Sequence, residues 1–242
     1  MAQRKIQFVN GEIYHIVVRA IEGFTLFRNE KDYLRMIHDL FEFNDEKPAL
    51  STFRVTFHRD RVNVTRKDFV TLLTKRKKEK RKTLVEILAF CLMPNHIHLL
   101  LRQVQEGGIS KFMQKLGSYG LYYNKKYEKK GHLFGGKFQA VHIKNEEQLK
   151  TAFVYIHTNP VALIYPQWKE KGIKNINRAI KYIESYRWSS YPDYLGKENF
   201  PSLTNREFLL KIMGGVKGCR NFVNTWLRFK QKLADFDNVA IE

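Results

Sequence analysis

The segment 84–102 constrains the fold most, because two apolar stretches flank a short run of turn residues. Residues 84–92 (LVEILAFCL) and 96–102 (HIHLLLR) have the composition of strands. Between them stands Met93-Pro94-Asn95, and Pro and Asn favour tight turns. The sequence therefore predicts a β-hairpin over 84–102.

Further elements on both sides of this hairpin predict the fold class. Strands are predicted over 13–20 and 137–143, and helices over 30–43, 109–127 and 146–158. Asn29 and Asn145 are predicted N-caps, and Pro160 is expected to end the last of these helices. The order strand, helix, hairpin, helix, strand, helix predicts an α+β fold. We expect a ferredoxin-like antiparallel sheet with helices packed on one face, followed by a helical C-terminal tail.

The chain divides into one main domain and a tail. Residues 1–200 are predicted to form the domain, with a basic insertion over 45–84, and 201–242 to form the helical tail. Within the insertion, 50–57 is a candidate extra strand and 66–82 a candidate helix. The run KRKKEKRK at 75–82 is interpreted as a solvated loop.

Charge is the strongest compositional signal. The chain has 43 Lys and Arg against 24 Asp and Glu, a formal net charge of +19. Such an excess favours a nucleic-acid partner over a membrane surface or simple solubility. No apolar run has the length of a membrane span, and no secretory signal is evident. Two cysteines, Cys91 and Cys219, form neither a disulfide scaffold nor a zinc site and suit a reducing cytosol.

Two short patterns carry candidate chemistry. His96 and His98 are two apart on a predicted strand, so both imidazoles point to one face and could chelate a divalent cation. Tyr155 and Asn159 are four apart and share one side of a helix end. From spacing alone, a surface histidine pair and a core tyrosine with a helix terminator are the more frequent explanations.

Four motifs change that balance when they are taken together. They are MPNHIHLL at 93–100, GHLFGGKF at 131–138, YIHTNPV at 155–161 and WSSY at 188–191. YHIVVR at 14–19 and LFR at 26–28 also fit. Over about 8–195 the chain resembles the IS200-like Y1 transposases and, more narrowly, the REP-associated tyrosine transposases. These are HUH nucleases, named for a His-hydrophobic-His strand.

The resemblance implies a site and a reaction. It assigns His96, His98 and Asn159 to a divalent cation, Mg²⁺ or Mn²⁺, and Tyr155 to the nucleophile. The implied reaction is attack of the tyrosine on a DNA phosphodiester, which gives a 5′-phosphotyrosine intermediate and strand transfer. The expected substrate is single-stranded DNA, extruded as a REP-like hairpin. We expect a cytoplasmic, nucleoid-associated protein without a membrane, and the sequence leaves monomer and homodimer open.

Other residues receive supporting interpretations. His157 is interpreted as structural or surface-exposed. His15 is interpreted as a core histidine, with an approach to the site as the less favoured alternative. Two other functions stay open: a non-catalytic binder of structured DNA or RNA, and a metal-dependent hydrolase that uses water. The candidate phosphate contacts are Arg19, Lys125, Lys126, Lys137 and Lys144.

Overall fold

Four antiparallel strands form the sheet in the described part of this protein. The computed structural model describes residues 6–47, 70–71, 73–74 and 81–239, with side chains as far as Lys230. The strands are β1 (Ile13–Arg19), β2 (Val85–Met93), β3 (His96–Gln103) and β4 (Gln139–Ile143). Their order across the sheet is β2-β3-β1-β4, and every neighbouring pair is antiparallel. This order confirms the ferredoxin-like fold class.

Strand alternation gives the sheet two faces. Tyr14, Ile16 and Val18 of β1 are buried together with alternate residues of β3. The intervening residues of β1, His15 and Val17, point the other way. Because His15 pairs with Leu100 and Val17 with His98 in the register, both lie on the face that carries the β3 histidines. We call this the site face, and the other the opposite face.

Among the described elements with complete bounds, three helices cover the opposite face. They are α1 (Glu30–Glu42), α2 (Gly108–Gly117) and α3 (Tyr119–Tyr127). Asn29 caps α1 as predicted, in a capping box with Asp32. The helix predicted over 109–127 is interrupted at Ser118, which separates α2 from α3. Their buried side chains form one core with β1, β2 and β3.

The site face is covered too, which corrects the expectation that helices pack on one face only. The helix α4 (Glu146–Thr158), capped by Asn145, packs against β2 and β3 in a second core. Crossover helices between strands fall on one side of a sheet, whereas α4 follows the last strand and is free to pack on the other. The 3₁₀ turn Asn159–Leu163 then continues from α4.

The C-terminal helices complete this second core. Buried residues of the last two helices, among them Leu209, Cys219 and Val223, pack with those of α4. The predicted tail is therefore helical where it is described, and it covers the helix that carries Tyr155. The bounds are α5 (Trp168–Lys171), α6 (Ile176–Ser185), α7 (Tyr191–Tyr194), α8 (Glu207–Met213) and α9 (Gly215–Val239).

The predicted elements of the insertion fall mostly outside the described residues, whereas the two cysteines are described. The candidate strand over 50–57 and most of the candidate helix over 66–82 lie outside the described residues. Cys91 and Cys219 are both free and buried, and burial raises the pKa of each thiol. No helix within the described ranges is long and apolar enough to span a bilayer.

Candidate active site

Two histidines of β3 form the centre of the site. Strand alternation places His96 and His98 on the site face with their ring centroids 4.9 Å apart, while Ile97 is buried in the core on the opposite face. His98 is 1% exposed, and His96 is half-buried. Two imidazoles are therefore held side by side on a central strand.

The hydrogen bonds of these histidines leave particular ring nitrogens available. The Nδ1 of His96 is 2.7 Å from Oδ1 of Asn95, and because an amide oxygen only accepts, His96 donates through Nδ1. The Nδ1 of His98 is 3.0 Å from Nε2 of His15. The Nε2 of His98 is buried and has no hydrogen-bond partner among the described residues. A buried nitrogen without a partner is costly unless something binds it.

His15 belongs to this group, so the interpretation of it as a core histidine was wrong. Its ring lies 5.2 Å from that of His98, in addition to the hydrogen bond between them. The reason is the strand register, which the sequence does not reveal: His15 pairs with Leu100, two residues from His98, on the same face of the sheet. The sequence did offer one indication: His15 alternates with the apolar residues Tyr14 and Ile16, which are buried, so on a strand His15 faces away from the core that they form.

Burial keeps the three imidazoles neutral. It lowers the pKa of His15 and of His96 to about 4 and that of His98 to about 2. Nearby positive charge, from Arg19 and Lys169, further lowers the pKa of both His96 and His98. At neutral pH these rings therefore keep lone pairs with which to bind a cation.

Tyr155 of α4 lies against the same histidines. Its ring centroid is 5.6 Å from that of His98 and 5.8 Å from that of His15, both edge-to-face. The side chain is half-buried, whereas Phe153 and Ile156 on the same helix are fully buried. The phenol and the imidazole pair thus come together from segments more than fifty residues apart.

Asn159 ends α4 one turn after Tyr155. Its Nδ2 donates to the backbone carbonyl of Tyr155 at 2.6 Å, and the residue is 7% exposed. Because the amide nitrogen is used in this bond, the carbonyl oxygen Oδ1 is the atom that remains to bind another group.

A buried histidine fixes α4 in place. The Nε2 of His157 forms a hydrogen bond of 2.8 Å with Oγ of Ser190. The same Oγ accepts a hydrogen bond from the backbone N–H of Phe90 in β2. Trp188 and Ser190 form further backbone bonds with β2. The WSSY motif therefore connects the tyrosine helix to the edge of the sheet, and His157 has the structural position that was predicted.

The glycine-rich loop 131–136 contacts the end of β1, next to the strand that carries His96 and His98. The N–H of Gly135 donates to the carbonyl of Arg19, and that of Ala20 to the carbonyl of Asn95. A Cβ at Gly135 would lie 3.3 Å from the carbonyl oxygen of Ala20, so the close approach favours glycine there. Consequently, the end of β1, the turn before His96 and the loop 131–136 meet at one place.

The predicted phosphate contacts are not all at this place. Arg19 pairs directly with His96 across the sheet. Lys126, on α3 over the opposite face, forms an ion pair with buried Asp32 at 2.6 Å. Lys144 follows β4 at the end of the sheet where Ile143 pairs with Ile13, away from Arg19. Lys125 is on α3 with Lys126, and Lys137 lies between Gly136 and β4.

Acid should destabilise this fold, because burial lowers the pKa of His157 to about 3 and those of the site histidines as described. The unfolded state binds more protons than the folded one below pH 6.5. The free energy of unfolding is therefore highest above that pH. It falls as the pH is lowered towards the pKa values that the histidines have in the folded state. We expect the free energy of unfolding to fall by about 1 kcal/mol or more per pH unit below pH 6.

Urea denaturation at pH 7.5, 6.5 and 5.5 checks this slope. A His157→Gln variant should show a shallower slope, and a variant of exposed His132, His132→Gln, the same slope as the wild type. An unfolding free energy that does not change or rises on acidification would contradict the prediction.

Comparisons with known proteins bear on the sequence motifs. The family model described as "Transposase IS200 like" matches residues 49–159, a range that contains His96, His98, Tyr155 and Asn159. This match confirms the resemblance to IS200-like transposases. No curated protein matches the chain.

A solved structure is also similar to this chain. It is titled "Structure of the REP associates tyrosine transposase bound to a REP hairpin", and it aligns with a TM-score of 0.43 and 13% identity. The alignment covers 84% of this chain and 90% of that one.

Proposed function

We propose that this chain, which matches IS200-like transposases over residues 49–159, is a single-tyrosine transposase of the REP-associated kind. It cleaves single-stranded DNA at hairpin sites and joins strands through a covalent tyrosine intermediate. One observation carries the proposal: the Tyr155 ring stands 5.6 Å from the ring of His98, whose buried Nε2 has no partner among the described residues.

The donor set suits a divalent cation. Within the described ranges, no metal site is formed by three or more His, Cys, Asp or Glu side chains, so the third protein ligand must be of another type. The amide oxygen of Asn159 is that ligand in our proposal. Together with His96 and His98 it makes a mixed nitrogen and oxygen set that would leave coordination positions for phosphate oxygens. We propose Mg²⁺ or Mn²⁺ as the ion. When bound, it supplies Lewis-acid polarisation of the phosphate and helps to orient it.

The residues of the chain account for the rest of the reaction. The Tyr155 oxygen attacks phosphorus, so that an O–P bond forms and the bond from phosphorus to the 3′ oxygen breaks. The phenolic proton leaves to solvent, and the departing 3′ oxygen takes up a proton as a free hydroxyl. The phosphotyrosine keeps the energy of the phosphodiester, so a second 3′-hydroxyl reverses the step and joins strands without another co-reactant.

The same geometry favours single-stranded DNA as substrate. Tyr155 is half-buried where α4 packs over the sheet, so the DNA backbone must approach the phenol closely. A flexible single strand adapts to such an approach more easily than a stiff duplex. Arg19, which pairs with His96 across the sheet, is the predicted phosphate contact beside the histidines. The predicted hairpin preference and the nucleoid location belong to this proposal.

Trapping the intermediate tests the proposal. The protein is incubated with 3′-end-labelled hairpin oligonucleotides and Mn²⁺, because the fragment on the 3′ side stays on the tyrosine, and the products are separated on a denaturing gel. A labelled band that migrates with the protein is the expected result. Cleavage without such a band would favour a hydrolase, and binding without cleavage a non-catalytic binder.

His15 should set the metal affinity through His98. Its hydrogen bond to Nδ1 holds the ring of His98 with Nε2 directed away, as outer partners of metal-binding histidines commonly do. We expect His15→Ala to weaken Mn²⁺ binding by about 10- to 100-fold, with partial rescue in His15→Gln. Calorimetric Mn²⁺ titration in the absence of DNA measures this effect. Equal affinity in wild type and His15→Ala would show that His15 has no such role.

A further inference from the structure

A lysine from outside the matched motifs stands over the ring of the candidate nucleophile. The Nζ of Lys169 is 4.3 Å from the centroid of the Tyr155 ring. Lys169 is on the short helix α5, beyond the residues 49–159 that match the transposase family. No motif that carries the family resemblance includes it.

The neighbouring residue holds this lysine in place. Trp168 is 2% exposed and packs in the second core together with Ile173. The helix begins after Gln167, whose positive φ of 62° turns the chain sharply into it. The backbone of α5 is therefore anchored on the core that contains α4, while the Lys169 side chain is exposed.

The charge of Lys169 lies beside the candidate nucleophile, and no acidic side chain within the described ranges forms an ion pair with it. Lys169 lies over the ring of Tyr155, and Arg19 pairs with His96 across the sheet. In the described part of the chain neither forms an ion pair, whereas Lys126 and Lys150 pair with Asp32 and Glu146. Two uncompensated cations thus flank the phenol and the imidazoles, an arrangement suited to an anionic ligand.

We propose that Lys169 contacts the phosphate that Tyr155 attacks. This inference rests on the proposed function and extends it with a residue that the family match does not cover. The flexible four-carbon stem lets the ammonium move from the ring face to a phosphate oxygen as the bond to Tyr155 forms. There it offsets charge on the phosphate oxygens, which otherwise repel the nucleophile.

A plain surface role is the competing explanation. A lysine that rests on an aromatic ring at an exposed site stabilises the fold weakly and need not touch any substrate. Three variants separate the two explanations. Lys169→Met keeps most of the stem without charge, Lys169→Arg keeps charge, and Lys171→Met removes an exposed charge from the same short helix.

The first readout is the rate of covalent adduct formation with a hairpin oligonucleotide and Mn²⁺. We expect Lys169→Met to lower the rate at saturating DNA by about 100-fold and to change half-saturation by less than about threefold. Lys169→Arg should recover most of the rate, and Lys171→Met should match the wild type. Equal rates in Lys169→Met and Lys171→Met would overturn the inference.

The second readout is DNA binding without metal. Once the wild-type cleavage position is mapped, a methylphosphonate placed there removes one negative charge from the DNA. Fluorescence anisotropy should show that this change weakens binding to the wild type and leaves binding to Lys169→Met unaffected. An equal loss in both proteins would mean that Lys169 does not contact this phosphate.

Failure of the inference differs from failure of the proposed function. If the inference alone is wrong, the wild type forms the adduct and Lys169→Met does so equally fast. If the function is wrong, the wild type forms no adduct with any single-stranded or hairpin DNA, and the role of Lys169 is rejected with it.

Discussion

Tyr155→Phe is expected to abolish covalent adduct formation and strand cleavage. The substitution removes only the phenolic oxygen that forms the bond to phosphorus, and loss of a nucleophile costs about 10⁴-fold or more in rate. The ring contacts with His15 and His98 persist, so the fold and DNA affinity should change little. The denaturing-gel assay measures the loss, and anisotropy measures the retained binding.

Tyr165→Phe is the matched control for this variant. Tyr165 follows α4 in the chain, packs partly on the second core and lies beside Arg178. Its loss should leave adduct formation within about twofold of the wild type. Cleavage at wild-type rate by Tyr155→Phe would remove the tyrosine from the mechanism.

His98→Ala should eliminate both metal binding and cleavage. His98 provides the buried Nε2, so we expect Mn²⁺ affinity to fall by at least about 100-fold. The variant also leaves Nε2 of His15 without its partner, which should cost about 1–3 kcal/mol of stability. Mn²⁺ titration and urea denaturation measure the two effects separately.

His142→Ala is the control for the loss of a histidine from this sheet. His142 is on β4, where it interacts with Glu12 and the ring of Tyr14 rather than with the site. It should bind Mn²⁺ like the wild type. Affinity of His98→Ala within about threefold of the wild type would rule out His98 as a ligand.

Local features of the fold were predictable from the sequence. The hairpin around Pro94 and the caps at Asn29 and Asn145 depend on residues close together in the chain. Alternation on a strand also placed His96 and His98 on one face before any contact was known. Each of these features is determined by residues that are only a few positions apart in the sequence.

Features that depend on packing between distant segments were not predictable. The position of α4 on the second face follows from the burial of its stripe against Leu100 and Met93. His15 joins His98 through strand register, and Lys169 reaches Tyr155 because Trp168 is buried nearby. No spacing in the sequence encodes these long-range contacts, so the sequence motifs contain only part of the site.

The most direct test of the central claim is identification of the tyrosine that carries the DNA. The trapped adduct is digested with nuclease and then trypsin, which releases residues 151–169 with both Tyr155 and Tyr165, and fragment ions distinguish the two. A nucleotide phosphate on Tyr155 is the expected result. A nucleotide on Tyr165, or on a residue outside this peptide, would show that Tyr155 is not the nucleophile.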